Sequence, residues 1–317
     1  MGLAFVFPGQ GSQSVGMMKA YEALPSVRET FGEASAALGA DLWKLVAEGP
    51  ADQLNLTVNT QPVMLVAGVA LYRAWRAAGG PVPSSLAGHS LGEYSALVVA
   101  GAIDFAEAVR LVRLRAEYMQ DAVPAGVGAM AAILGLDDDQ VRAACAQASR
   151  DGEAAEAANF NAPGQVVVAG NKPAVERAIE AAKGKGAKRA MLLPMSVPSH
   201  CSLMKPAAER LQAWLASVVI RRPSIPVYQN ADVAPAASED AVKAALVRQL
   251  CQPVRWVDTI NTLVAGGAEI IVECGPGKVL TGLNKRIAPD VTALTLGDAE
   301  SFEAALTTVR TRPIQGG

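Results

Sequence analysis

Hydrophobic positions along this chain follow two patterns. One is a short unbroken apolar run bounded by glycine or proline. The other is a longer stretch in which apolar residues recur every three or four positions. Met1 to Phe7 belongs to the first kind and stops at Pro8-Gly9, which predicts an opening strand. Ser85-Leu86-Ala87 predicts another, followed by Gly88-His89-Ser90-Leu91-Gly92 and a helix from Glu93 to Ala100. Phe105 to Gln120 belongs to the second kind. Ala108, Leu111, Val112 and Met119 form its apolar stripe, with Arg110, Arg113 and Glu117 opposite. Arg115 falls in the middle of that stripe.

The middle of the chain reads as a module of its own. Gly128–Leu134 predicts a strand and Asp137–Ser149 a helix. Ala157–Phe160 and Gln165–Val168 predict two strands joined by Asn161-Ala162-Pro163-Gly164. Asn171 is placed to cap a helix reaching about Lys185, and Arg189–Leu193 predicts a last strand. The order β-α-β-β-α-β is ferredoxin-like. Pro124-Ala125-Gly126 and Pro194 mark its ends, which assigns residues 127–194 to a small subdomain. Alternation then resumes, with a helix near Leu203–Val218, a strand Ile225–Tyr228, helices Glu239–Leu250 and Trp256–Ala265, and a strand Glu269–Glu273. Residues 1–126 and 195–317 are therefore expected to form one discontinuous α/β domain. The tail from Thr311 to Gly317 reads as loose.

Composition narrows the class. With 317 residues, 51% hydrophobic but only 5% aromatic, packing rests on small aliphatic side chains, as in α/β proteins. A net charge of −2 gives no basic field for nucleic acid. No apolar run reaches the ~18 residues of a membrane span. The N-terminus lacks a basic leader region, and Val6 argues against myristoylation. Four scattered cysteines (Cys145, Cys201, Cys251, Cys274) without a C-x-x-C pair suggest neither zinc nor disulfides and fit a reducing cytoplasm.

The candidate chemistry centres on Gly88-His89-Ser90-Leu91-Gly92. Strand, tight turn and helix are the setting of a nucleophile elbow, in which two glycines leave room for a strained turn. The Leu91 backbone N–H then faces the same spot as the Ser90 hydroxyl, suited to an oxygen that turns negative during acyl transfer. The plain alternative is a glycine-rich turn that happens to contain a serine. A serine nucleophile needs a base. Of two histidines, His89 adjoins Ser90 and reads as a structural residue under the turn, which leaves His200 on a Pro198-containing loop. Cys201 beside it reads poorly as a Cys–His partner, since adjacent side chains on an extended loop diverge. Gly9-Gln10-Gly11-Ser12-Gln13-Ser14 follows a strand but fails the dinucleotide and P-loop patterns, with Ser14 and Met17 at the deciding positions. It is either a plain turn or a source of a second oxyanion donor. A buried Arg115 must be paired, by a carboxylate of the protein or by one of a ligand.

Taken together, these motifs resemble the malonyl-CoA:acyl-carrier-protein transacylases of bacterial fatty acid synthesis, over nearly the full length. The resemblance rests on Phe7-Pro8-Gly9-Gln10-Gly11-Ser12-Gln13, Thr60-Gln61-Pro62, Gly88 to Glu93, Arg115 with Tyr118-Met119-Gln120, and Asn159 to Gln165. Val197-Pro198-Ser199-His200, Gln249 with Pro253-Val254-Arg255-Trp256, and Glu273-Cys274-Gly275-Pro276-Gly277 complete it. It implies a hydrolase-like α/β core with a mostly parallel sheet and an inserted ferredoxin-like subdomain. It implies Ser90 as the acylated nucleophile, His200 as its base, the backbone amides of Gln10 and Leu91 as the oxyanion hole, and Arg115 as the grip on the malonyl carboxylate. The third member of the triad would be the backbone carbonyl of Gln249. Malonyl-CoA and acyl carrier protein would be the partners of a cytoplasmic monomer, with no metal or cofactor. Such carrier proteins are acidic, so local charge at Lys183, Lys185, Lys188 and Arg189, or at Lys278, Lys285 and Arg286, is expected to dock them. The alternatives are an acyltransferase serving a polyketide synthase and, from another class, a serine thioesterase.

Overall fold

The computed structural model describes residues 2–195 and 197–311. Among these residues nine strands form two sheets. β1 (Gly2–Phe7), β2 (Ser85–Gly88), β7 (Val227–Tyr228), β8 (Ala268–Glu273) and β9 (Thr292–Thr295) make a parallel sheet in the order β7-β2-β1-β8-β9. β3 (Gly128–Leu134), β4 (Ala155–Ala162), β5 (Gln165–Asn171) and β6 (Arg189–Leu192) make an antiparallel sheet in the order β4-β5-β3-β6.

β1 explains the unbroken apolar run at the start of the chain. Leu3, Phe5 and Phe7 point into one hydrophobic cluster, and Ala4 and Val6 point into another on the opposite face. A central parallel strand is covered on both faces, so alternation disappears from its sequence. β1 also sits where the strand order reverses, between β2 and β8. Open α/β sheets bind ligands at that place, beyond the carboxyl ends of the strands. Phe7 pairs with Gly88, so the loop after β1 and the turn after β2 emerge side by side.

The antiparallel sheet has the ferredoxin-like order. Helices Asp138–Ala148 and Lys172–Gly184 cover one face with a core of its own, including Ile133, Val141, Phe160, Val166 and Val168. Asp137 and Gln140 form a reciprocal capping box at the first of these helices. The other face, with Met130, Val167 and Ala169, packs on Cys201 and closes over the sheet edge. β4 is stitched to the large domain by Val254, whose N–H donates to Ala158 O and whose carbonyl accepts from Phe160 N, both at 2.9 Å.

Several expected boundaries shift, each for a local reason. The strand expected at Ile225–Tyr228 is only Val227–Tyr228, because Pro226 has no N–H to give the ladder. The helix expected over Leu203–Val218 is Lys205–Leu215, preceded by a 3₁₀ turn at Ser202–Met204. Pro206 suits the first turn of a helix, and at the other end the Ser217 hydroxyl donates to the Trp214 carbonyl. Asn171 does precede its helix, but its side chain accepts from Ala154 N (2.9 Å) and does not cap. Thr311 ends the last helix, Ala299–Thr311, while the remainder of the tail expected to be loose lies outside the described residues. Among the described residues no helix is long and apolar enough to cross a membrane.

Candidate active site

The turn at residues 88–92 is as tight as a backbone turn allows. A Cβ on Gly88 would lie 1.9 Å from the Gly92 carbonyl carbon, and one on Gly92 would lie 1.9 Å from Phe7 O. Only glycine fits at either end. Between them Ser90 takes φ +51°, a left-handed conformation that L-residues rarely hold. This lifts its hydroxyl into a cleft between the two sheets. Asn230, just beyond β7, clamps the turn: its Oδ1 accepts from Ser90 N (2.7 Å) and its Nδ2 donates to Gly88 O (2.6 Å).

His200 reaches Ser90 from the loop that follows β6. It too has a positive φ, +62°, and it is 2% exposed. Its Nδ1–H donates to the Gln249 backbone carbonyl at 2.8 Å, since a carbonyl only accepts. That fixes the tautomer and leaves Nε2 as an acceptor for the Ser90 hydroxyl, 2.7 Å away. Burial, and next the positive charge of Arg115, push the His200 pKa down to about 3, so the ring is neutral. His89 turns away: its Nε2–H donates to Asn161 Oδ1 (2.8 Å), and its ring lies 5.4 Å from that of Trp256. Cys201 is fully buried, its thiol donating to Pro198 O, and burial pushes it up to about 12, outside nucleophilic range.

Arg115 resolves the open question of its partner in an unexpected way. It is 1% exposed, yet no carboxylate lies within ion-pair distance of it among the described residues. Nη1 donates to Gln61 Oε1 (2.8 Å), and Nη2 donates to Gln249 Oε1 (3.0 Å) and to Ser90 Oγ (3.3 Å). Its guanidinium carbon stands 5.3 Å from the centre of the Tyr94 ring. Neutral dipoles hold the group in place without cancelling its charge.

These groups line one cavity of about 180 Å³, with Gln10, Ser90, Leu91, Arg115 and His200 on its polar side and Met119, Met130, Val167 and Leu193 on its apolar side. Drug-sized ligands occupy roughly 300–1,000 Å³, so this cavity suits an acyl group of a few atoms. The backbone N–H groups of Gln10 and Leu91 have no protein acceptor among the described residues. Larger hollows lie elsewhere, for example one lined by Asp138, Arg142, Phe160 and Arg255 and one lined by Gln147, Arg177 and Lys185, and neither of these two is lined by a serine or a histidine.

The residues brought together are thus Ser90, His200, Gln249, Arg115, Gln10 and Leu91. The two basic clusters, distant in sequence, each lie near the segment 163–165, Arg286 directly and Lys188 by way of Gly135. Arg286 donates to Gln165 Oε1 and to Pro163 O, Gly135 N donates to Gly164 O, and Lys188 lies against Gly135. Lys188, Arg189, Lys285 and Arg286 are all exposed, and of these Arg286 is engaged by its bonds to Gln165 and Pro163. Sequence reasoning gave no role to Gln61, Asn161, Asn230 or the Gln249 side chain. Gln61 and Asn161 lie in quoted motifs, whereas nothing in the sequence around Asn230 marks it.

Known proteins match this arrangement. A family model described as "Acyl transferase domain" covers residues 4–292. The chain belongs to that family. It is 57% identical over 304 residues to the malonyl CoA-acyl carrier protein transacylase of Escherichia coli K12, spanning 96% of this chain and 98% of that one. With the protein of the same name from Bacillus subtilis it shares 44% over 309 residues, 97% of each. The crystal structure of an acyl-carrier-protein S-malonyltransferase from Burkholderia pseudomallei superposes with a TM-score of 0.95 at 58% identity, covering 97% of this chain and 100% of that one. A malonyl-transacylase solved with a type II polyketide-synthase acyl-carrier protein gives 0.95 at 51% identity, covering 97% and 100%.

The environment of His200 sets the pH response of this acyltransferase. A base must be neutral to act, and the depressed pKa keeps this ring neutral well below the ordinary histidine value of about 6.5. The pre-steady-state acylation rate is expected to show no acid limb centred near pH 6.5. A limb at that pH in both the wild type and Glu93→Gln, which removes the other group titrating nearby, would contradict a buried neutral base.

Proposed function

We propose that the chain moves malonyl from malonyl-CoA to the phosphopantetheine thiol of acyl carrier protein, through a malonyl ester on Ser90. The observation that carries this reading is the buried Arg115 guanidinium, whose hydrogen bonds go to neutral groups and which stands 3.3 Å from the candidate nucleophile. Removing a cation from water costs several kcal/mol unless an anion joins it. A malonyl group brings its carboxylate into a cavity of matching size, and two hydrogen bonds to the guanidinium fix it.

The chemistry follows as two half-reactions. His200 Nε2 takes the Ser90 proton as Oγ attacks the thioester carbonyl. The Gln10 and Leu91 N–H groups receive the developing oxyanion. The tetrahedral intermediate collapses, the C–S bond breaks, and coenzyme A leaves with the proton from His200. The carrier thiol then gives its proton to His200, attacks the Ser90 ester, and the C–O bond breaks to regenerate the hydroxyl. One thioester replaces another, so the exchange is nearly balanced and needs no energy source. A carboxylate on Arg115 also removes the positive field that depresses His200. The right acyl group thereby makes its own base stronger, which acetyl cannot do. The absence of any matching use for Arg115 in simple ester hydrolysis disfavours a thioesterase. The polyketide-linked relative keeps open a carrier from that system, which would use the same groups; parallel assays with fatty-acid and polyketide carrier proteins distinguish the two.

Intact-protein mass spectrometry after malonyl-CoA is expected to show one added malonyl, mapped to the peptide containing Ser90 and lost in Ser90→Ala. Label retained in that variant would refute the assignment. Arg115→Ala is expected to erode the malonyl preference. Loss of one charged contact is worth ~2–5 kcal/mol, roughly 30- to several-thousand-fold. Malonyl transfer should fall on that scale while acetyl transfer holds or rises; equal loss of both would make Arg115 purely structural. For the carrier, reversal of Lys188 and Lys285 to Glu, with Arg286 left in its structural contacts, should raise the carrier KM roughly 3- to 30-fold at low salt. Ser90 acylation should be spared, and an unchanged KM would exclude this rim.

A further inference from the structure

Glu93 follows the elbow on helix Gly92–Val99 and is fully buried, far from any surface role. Both hydrogen bonds it accepts fall on one oxygen. Oε2 accepts from Asn230 N (2.8 Å) and from Gln249 Nε2 (3.1 Å), while Oε1 has no partner. Asn230 and Gln249 come from separate segments, and between them they touch Ser90, His200 and Arg115. Asn230 holds Ser90 N and Gly88 O. Gln249 holds His200 through its backbone carbonyl, Arg115 through Oε1, and Ser90 O through Nε2.

We propose that Glu93 is a positioning residue of the transfer reaction, acting through Asn230 and Gln249 to fix Ser90, His200 and Arg115 relative to one another. The physical reason lies in the amide of Gln249. A primary amide has one accepting and one donating end, and rotation by 180° exchanges them. With Nε2 drawn to Glu93 and to Ser90 O, Oε1 must face the guanidinium. Without the carboxylate, one of the two donor contacts that define this orientation is lost. Asn230 N loses its only acceptor in the same step. Ser90 and His200 both stand at positive φ, a conformation that persists only where surrounding contacts over-determine it. Gln249 is common to both sets of those contacts, and Glu93 holds both Gln249 and Asn230.

This inference rests on Ser90, His200 and Arg115 being the transfer machinery, and its test separates the two. Because Oε2 alone accepts, Glu93→Gln with its carbonyl in that place keeps both bonds, whereas Glu93→Ala removes them and Glu93→Asp falls short of them. Thermal unfolding establishes which variants fold, and Glu93→Asp serves if Glu93→Ala does not. A misplacement near 1 Å costs about 10²-fold in rate. In the folded Ala or Asp variant, kcat for malonyl transfer should fall by up to that factor with KM for malonyl-CoA within a few-fold. The malonyl-to-acetyl ratio should fall with it, and Glu93→Gln should restore both to within about threefold of wild type. Labelling of Ser90 by a fluorophosphonate probe, which needs neither malonyl nor carrier, should slow in parallel. Wild-type rates and ratio in the Ala or Asp variant would overturn the proposal, as would a Gln variant as impaired as Ala. If wild type transfers no malonyl, the malonyl reading fails, and the probe still reports on Glu93.

Discussion

The backbone at Ser90 can be left-handed only because other segments close tightly around it. Gly92 touches the end of β1, Asn230 clamps the turn from beyond β7, and the Gln249 side chain reaches Ser90 O from the helix Glu239–Cys251. Each contact is long-range in sequence. The hydroxyl is exposed to the cleft by strain that the tertiary fold holds in place, and the remaining groups are arranged around that fixed point. β1 and β2 in register, ending at Phe7 and Gly88, are what make the arrangement possible.

The electrostatics of the cleft follow from one buried cation. Arg115 is oriented by two amide oxygens and given no counterion by its direct contacts. Its field reaches His200 and lowers the pKa of the ring, which burial alone already lowers. Nearby, burial pushes the Glu93 carboxyl up to about 7, against the pull of its hydrogen bonds and of Arg115. Glu93 and Arg115 thus act on each other's charge across the site, although neither hydrogen-bonds the other. On the proposed function, a small carboxyacyl group would bring its carboxylate to Arg115 within a cavity of about 180 Å³.

The small subdomain contributes the roof. Met130 and Val167 on the inner face of its sheet, and Leu193 just after β6, supply the apolar lining opposite Ser90. Asn161, near the end of β4, holds His89 and so ties the roof to the elbow itself. The turn that follows begins at Pro163 and leads into Gln165 at the start of β5, and Arg286 is bonded to both. One short loop thus connects the acyl cavity to the charged rim outside it.

Much of this was legible in the sequence, because it depends on local rules. An unbroken apolar run before Pro-Gly marks a buried parallel strand, and G-x-S-x-G between strand and helix marks an elbow. A charged residue on an apolar helical stripe marks a buried group that needs a partner. The order of strands and helices in residues 127–194 was readable for the same reason. What the sequence left open was pairing across distance. It could not say that Arg115 is met by Gln61 and the Gln249 side chain instead of a carboxylate, or that Asn230 clamps the turn. Nor could it say that Arg286 is spent on Pro163 and Gln165, more than a hundred residues away. Periodicity and spacing report on neighbours along the chain. Which dipole faces a buried charge is settled only when separate segments pack, because hydrogen bonds between them depend on distances and angles that no single segment contains.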